Sequence, residues 1–180
     1  MNILEIFTNS ILLIITLDNE LWDIILLSLF VSFTALIIAS LLGFIVGYYF
    51  AIYNFYFKKI ILIIINSLMG IPPVVVGLIV YFIFASGGPL GILQLLYTPS
   101  AMIIAQTIII FPIIASLSHE IFSKNWFEFK DQIRSSNIPF WGSVKLLFNH
   151  SYFLLITTLL SAFGRAISEV GAVMIVGGNI

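Results

Sequence analysis

Two charges of opposite sign, Arg165 and Glu169, stand four residues apart in "RAISEVGAVMIVGGNI", a stretch otherwise apolar enough for the middle of a bilayer. At i, i+4 they share one helix face and can neutralise each other, whereas an unpaired charge at membrane depth costs on the order of 3 kcal/mol. An intramembrane ion pair is the expected arrangement. The alternative is that Arg165 lends positive potential to an anion path, but a Glu169 beside it would cancel most of that field. Covalent and metal chemistry find no footing. His119 and His150 are isolated, Glu120 beside His119 is not a helical ligand spacing, and no Ser or Thr has a His–Asp constellation. The chain has no cysteine and no GxxxxGK[ST] loop, which removes thiolate sites and ATP hydrolysis by that route.

A second feature is a bend rather than a charge. In "MGIPPVVVG", Pro72 and Pro73 each remove a backbone donor and must kink or interrupt a helix. Carbonyls freed at membrane depth survive only where protein or a water-filled path satisfies them. Pro72, Pro73, Val74 and Val75 are therefore candidates for a translocation path or gate, with a purely architectural bend as the other reading.

The elements that carry these residues follow from composition. Of 180 residues, 61% are hydrophobic and 8% charged, far from the roughly 25% charged of soluble domains; this is a membrane protein. Residues 24–57 and 60–119 carry no formal charge, and a spanning helix needs about 20 apolar residues, so the first run holds one span and the second holds two. The expected spans are Ile24 to Phe50, Ile60 to Phe84, Ala101 to Leu117 and Tyr152 to Val176. Ile11 to Leu17 is too short to cross and reads as an interfacial helix. Residues 1–17 lack a basic start and a small-residue cleavage site, so the first span is expected to act as an uncleaved membrane signal. With a net charge of −1 and no basic patch, nucleic-acid binding is excluded.

Lysine and arginine set the orientation. Lys58 and Lys59 follow the first span, and Lys124, Lys130, Arg134 and Lys145 lie between the third and fourth; both segments should be cytoplasmic, with the N-terminal side outside. The cytoplasmic stretch 119–150 contains a candidate amphipathic helix around Trp126 to Arg134. Its aromatic residues Trp126, Phe127 and Phe129, with Trp141, suit either docking onto a partner or an aromatic belt against headgroups.

Taken together, "IPPVVVGLIVYFIF", "GGPLGILQLLYTPSAMIIAQTIIIFPII" and "RAISEVGAVMIVGGNI" resemble the permease subunits of ABC-type oxyanion importers, tungstate permeases first, then molybdate and sulfate permeases. The likeness runs from about Leu26 to Ile180. It implies an all-α polytopic bundle forming one transmembrane permease domain over 1–180. It also implies a homodimer in the cell inner membrane, a separate ABC ATPase that binds ATP and magnesium, and an extracytoplasmic oxyanion-binding protein. No cofactor is expected in this chain and no enzymatic activity of its own. In that family a short cytoplasmic helix with a Glu-Ala-Ala, three residues, Gly pattern fits a cleft in the ATPase. The matching positions are Asp131, Gln132 and Ile133, with Asn137 at the glycine. Neither alanine is present, and His150 stands where a trailing proline is expected. Asparagine tolerates the left-handed backbone that glycine supplies, so the turn can survive. The family continues past Ile180 with at least one more helix, so a C-terminally truncated chain is expected. Rival readings are a non-transporting membrane scaffold and a passive channel.

Overall fold

The computed structural model describes residues 19–178, and within them every regular element is helical. Helix α1 is Asn19–Ile52, α2 Lys58–Leu68, α3 Pro73–Phe84, α4 Pro99–Ser135, α5 Phe140–Ile167 and α6 Gly171–Gly177, with a short 3-10 turn at Gly91–Leu93. Three of them, α1, α4 and α5, are long and apolar enough to cross a membrane, and α2 with α3 forms a further pair bent by 103°. The expected interfacial helix at 11–17 lies outside the described residues.

Helix α1 is apolar on all sides, so size rather than polarity marks its buried face. Val31, Ala35, Ala39, Gly43, Gly47 and Ala51 recur every fourth residue, and all are buried. Small residues at this spacing let helix backbones approach closely where lipid provides no hydrophobic drive between helices. A Cβ on Gly43 would sit 2.8 Å from Ile114 Cγ2, and one on Gly47 would meet the Ser118 side chain and lie 2.9 Å from the His119 amide nitrogen. The partner face on α4 is equally small where it can be, with Ala101, Ala105 and Ala115 at most 1% exposed.

These contacts also fix direction. Gly43 meets Ile114, Gly47 meets Ser118, and Tyr48 packs edge-on against Phe122, so α1 and α4 run parallel. In α5 the order reverses: Asn125 of α4 bonds to Ser151, and Gln106 to the carbonyl of Ala166. Two parallel neighbours need a crossing between them, and the bent pair α2–α3 supplies it. Its break is local chemistry. Met69, Gly70 and Ile71 amides bond three residues back, tightening the end of α2. Pro72 then takes an extended ψ of 127°, and Pro73 opens α3 at a position where its missing N–H costs nothing.

The expected third span, 101–117, is the membrane leg of a longer element. Helix α4 has 37 residues, roughly 55 Å at 1.5 Å per residue against about 30 Å of hydrocarbon. Its far end, with the start of α5, makes a helical hairpin of the stretch expected as a cytoplasmic loop with a separate helix at 126–134. Hydropathy falls after Leu117, but no glycine or proline intervenes before Pro139 to stop the helix. The fourth span also differs: 152–176 is interrupted at Ser168–Val170, between α5 and α6.

Inside the hairpin, Asn125 and Ser151 are buried and bonded to each other, the amide nitrogen of Asn125 donating to Ser151 Oγ. Phe122 and Leu147, both fully buried, pack around them with Tyr48. Ser151→Ala strands the Asn125 amide and is expected to lower stability by about 1–3 kcal/mol. A thermal melt of the detergent-solubilised protein unchanged from wild type would refute this account of the hairpin.

Candidate functional site

The break between α2 and α3 borders a cavity of about 290 Å³. Its walls are Leu68, Met69, Ile71 and Val76 from the two sides of the break, Leu42 of α1, and Thr107, Phe111 and Pro112 of α4, with Arg165 of α5. Pro112, buried inside α4, has no N–H and so removes one helical bond in the wall of the cavity. None of the four residues expected to line a path, Pro72, Pro73, Val74 and Val75, is in the wall of this cavity. Pro72, Val74 and Val75 are exposed and Pro73 starts α3, while their neighbours Ile71 and Val76 face the cavity.

The expected ion pair does not form among the described residues. Helix α5 ends at Ile167, where Ser168 donates its hydroxyl to the Arg165 carbonyl at 3.0 Å and its amide to Gly164. The Glu169 amide closes a tight turn on Ala166 at 3.3 Å, so Glu169 has left the helical register that i, i+4 pairing requires. Arg165 opens into the cavity at the break. Glu169 opens into a different one, about 250 Å³, with Ser28, Ser32 and Gln106.

Two polar side chains of α4 went unread in the sequence. Gln106, 4% exposed, donates Nε2–H to the Ala166 carbonyl at 3.2 Å and keeps a buried Oε1 with no protein partner. The Thr107 hydroxyl is likewise buried without a partner. An adjacent Gln-Thr inside an uncharged run was the available signal, because buried polar atoms in a bilayer protein are expensive unless satisfied.

At the hairpin tip, Asp131 and Gln132 are exposed on the last turns of α4, and Ile133 is buried at 4%. The helix stops by a Schellman arrangement: the Ile138 amide bonds to the Ile133 carbonyl at 3.1 Å and the Asn137 amide to Arg134 at 3.2 Å. Asn137 takes φ of 48°, the left-handed conformation that glycine or asparagine accepts most readily. At the opposite end of the bundle, the 85–98 segment docks on α6, the Tyr97 amide donating to the Val176 carbonyl at 2.9 Å. A hydrogen bond with Tyr81 holds the Tyr97 hydroxyl above the usual tyrosine range, so no negative charge arises there.

No family model matches the chain. It is 39% identical over 178 residues to the tungstate uptake system permease protein TupB of Peptoclostridium acidaminophilum, covering 99% of this chain and 78% of that protein. This chain belongs to the anion ABC transporter permease family. A probable anion ABC transporter permease protein of Haloferax volcanii is 38% identical over 85% of the chain and 66% of its own length. The TupB of Campylobacter jejuni is 38% identical over 71% and 54% respectively. A permease of this family is a multi-pass membrane protein, which accords with the long apolar helices. Within the permease, the break and the unpaired arginine share one level of the bundle, and the hairpin tip lies at another. Arg165 on α5 adjoins the break between α2 and α3, and the tip lies at the far end of α4 and the start of α5.

Proposed function

We propose that this chain is the membrane permease of an ATP-driven importer of a tetrahedral oxyanion, with tungstate as substrate and molybdate or sulfate as competitors. The observation that carries the reading is the 39% identity over 178 residues with a tungstate uptake permease. Two copies form the path between them in the cell inner membrane, with the N-terminal side outside and the α4–α5 hairpin in the cytoplasm. Lys58, Lys59, Lys124, Lys130, Arg134 and Lys145 on that side favour this orientation. Each hairpin tip, through Asp131, Gln132, Ile133 and Asn137, seats on a separate ABC ATPase that holds ATP and magnesium. An extracytoplasmic binding protein delivers the anion to the uncharged 85–98 segment. The bend at Pro72, Pro73, Val74 and Val75 lets α3 move against α2 as the path opens to one side or the other, a transition that needs different contacts in the two states.

The experiment is reconstitution of the chain with its ATPase and binding protein in proteoliposomes. Tungstate accumulation that needs ATP, and ATP hydrolysis stimulated by tungstate-loaded binding protein, are the expected results. Ion current without nucleotide would instead identify a channel. No transport and no stimulated hydrolysis would leave a scaffold.

A further inference from the structure

We propose that Arg165 and Thr107 form a binding site for a tetrahedral oxyanion in the membrane leg of the bundle, at the break between α2 and α3. The proposal rests on the importer reading and names the place where the substrate pauses. Arg165 and Glu169 are the two formal charges in residues 146–180, and residues 24–57 and 60–119 have none. Because Glu169 turns into the other cavity, no carboxylate among the described residues neutralises Arg165. A half-buried guanidinium at this depth is costly unless something anionic meets it.

Thr107 supplies the second contact. Thr34, Thr157 and Thr158 spend their hydroxyls on the carbonyl four residues back in their own helices. The buried Thr107 hydroxyl does not, and the residue lines the same cavity as Arg165, so that a rotation of its side chain brings the hydroxyl to an oxygen of the anion. The cavity, about 290 Å³, is many times the ~30 Å³ share of one water, which leaves room for a five-atom oxyanion and several waters. Its other walls, Leu68, Ile71, Val76 and Phe111, are apolar, so the charge interaction is screened less than in water. Helix α3 starts at the break, and the positive end of its dipole adds to the field.

One cation and one hydroxyl make a weak site, and a transport path needs one: an anion held by more would enter but not leave. The structure therefore assigns Arg165 to stabilising the anion on its way past the break, with Thr107 orienting one of its oxygens.

The test measures ATP-driven tungstate uptake by the complete complex in proteoliposomes, wild type against Arg165→Gln, Arg165→Lys and Thr107→Val, with co-purification of the ATPase as the assembly control. Expected is a loss in maximal uptake rate of about tenfold or more for Arg165→Gln, since charge-assisted bonds are the strong ones. Arg165→Lys, which keeps the charge, should retain most of the rate, and Thr107→Val should lose several-fold. The tungstate concentration for half-maximal uptake, set by the binding protein, should not move. Wild-type uptake by Arg165→Gln or by Thr107→Val overturns the site. So does an assembled Arg165→Lys complex as slow as Arg165→Gln, since packing rather than charge would then be at issue. Should Arg165→Gln fail to assemble, Thr107→Val decides alone. A wild-type complex that takes up no oxyanion refutes the importer reading itself, a result separable from every variant outcome.

Discussion

Gly47→Leu should separate α1 from α4 and leave a permease that cannot be purified as a folded protein. The glycine faces Ser118, and a Cβ there would meet its side chain and lie 2.9 Å from the His119 backbone nitrogen. A serine side chain can rotate, but a helix backbone cannot retreat without carrying its neighbours. A Cβ at Gly43, one turn earlier, would likewise come within 2.8 Å of Ile114 Cγ2, so the close approach extends along the helix pair and the two cannot part at one point alone. Overpacking of this kind costs on the order of 3 kcal/mol, a large part of the total stability of a domain. Gly164→Ala is the matched control, because nothing stands within 4 Å of its Cβ, and replacing glycine by alanine inside a helix is favourable by itself. Fluorescence-detected size exclusion after heating would compare the two. A Gly47→Leu protein that melts with wild type would show that the α1–α4 contact does not hold the bundle together.

That contact shows how the sequence conveys one kind of information and hides another. The long apolar helices and the reversals between them were readable, because Lys58, Lys59 and the basic residues of 124–145 interrupt the charge-free runs. The parallel course of α1 and α4 agrees with that reading, and the break at Pro72-Pro73 appears as a 103° bend, since proline acts on the backbone wherever it stands. Asn137 in the left-handed region was readable for the same local reason. Helix ends governed by the membrane boundary were not. Hydropathy drops after Leu117, yet a helix stops where hydrogen bonding or a breaker stops it, so α4 runs on to Ser135.

The Arg165–Glu169 spacing failed in the opposite way. It predicts a pair only if the helix continues through Glu169, and the turn at Ser168 that ends α5 carries no proline and no left-handed residue to announce it. Gln106 and Thr107 were unread because their surroundings come from distant parts of the chain: Ala166 is 60 residues away from Gln106, and the cavity at Thr107 is assembled from five helices. Local patterns give elements and their direction; the polar chemistry between elements needs the packing.

The second large effect belongs to the hairpin tip. Exchanging both Asp131 and Gln132 for lysine should abolish co-purification of the ATPase while the spans stay folded. Both side chains are exposed at the end of α4, so the exchange disturbs no packing, and surface changes of this kind usually stay within about 0.5 kcal/mol in stability. Facing a partner, two new like charges at a docking tip alter the contact by several kcal/mol, and each 1.4 kcal/mol is about a tenfold loss of complex. Asn137 offers a second handle through shape alone. Asn137→Gly keeps the left-handed turn and should bind as well as wild type. Asn137→Val forces a β-branched residue to φ near 48°, where the strain unwinds the Ile138 to Ile133 bond that ends α4, and the ATPase should be lost in part. Quantifying ATPase recovered per permease in mild detergent separates the outcomes. Equal recovery from wild type, the lysine exchange and Asn137→Val would place the docking surface elsewhere on the chain, because neither the charge nor the turn of this tip would then touch the partner.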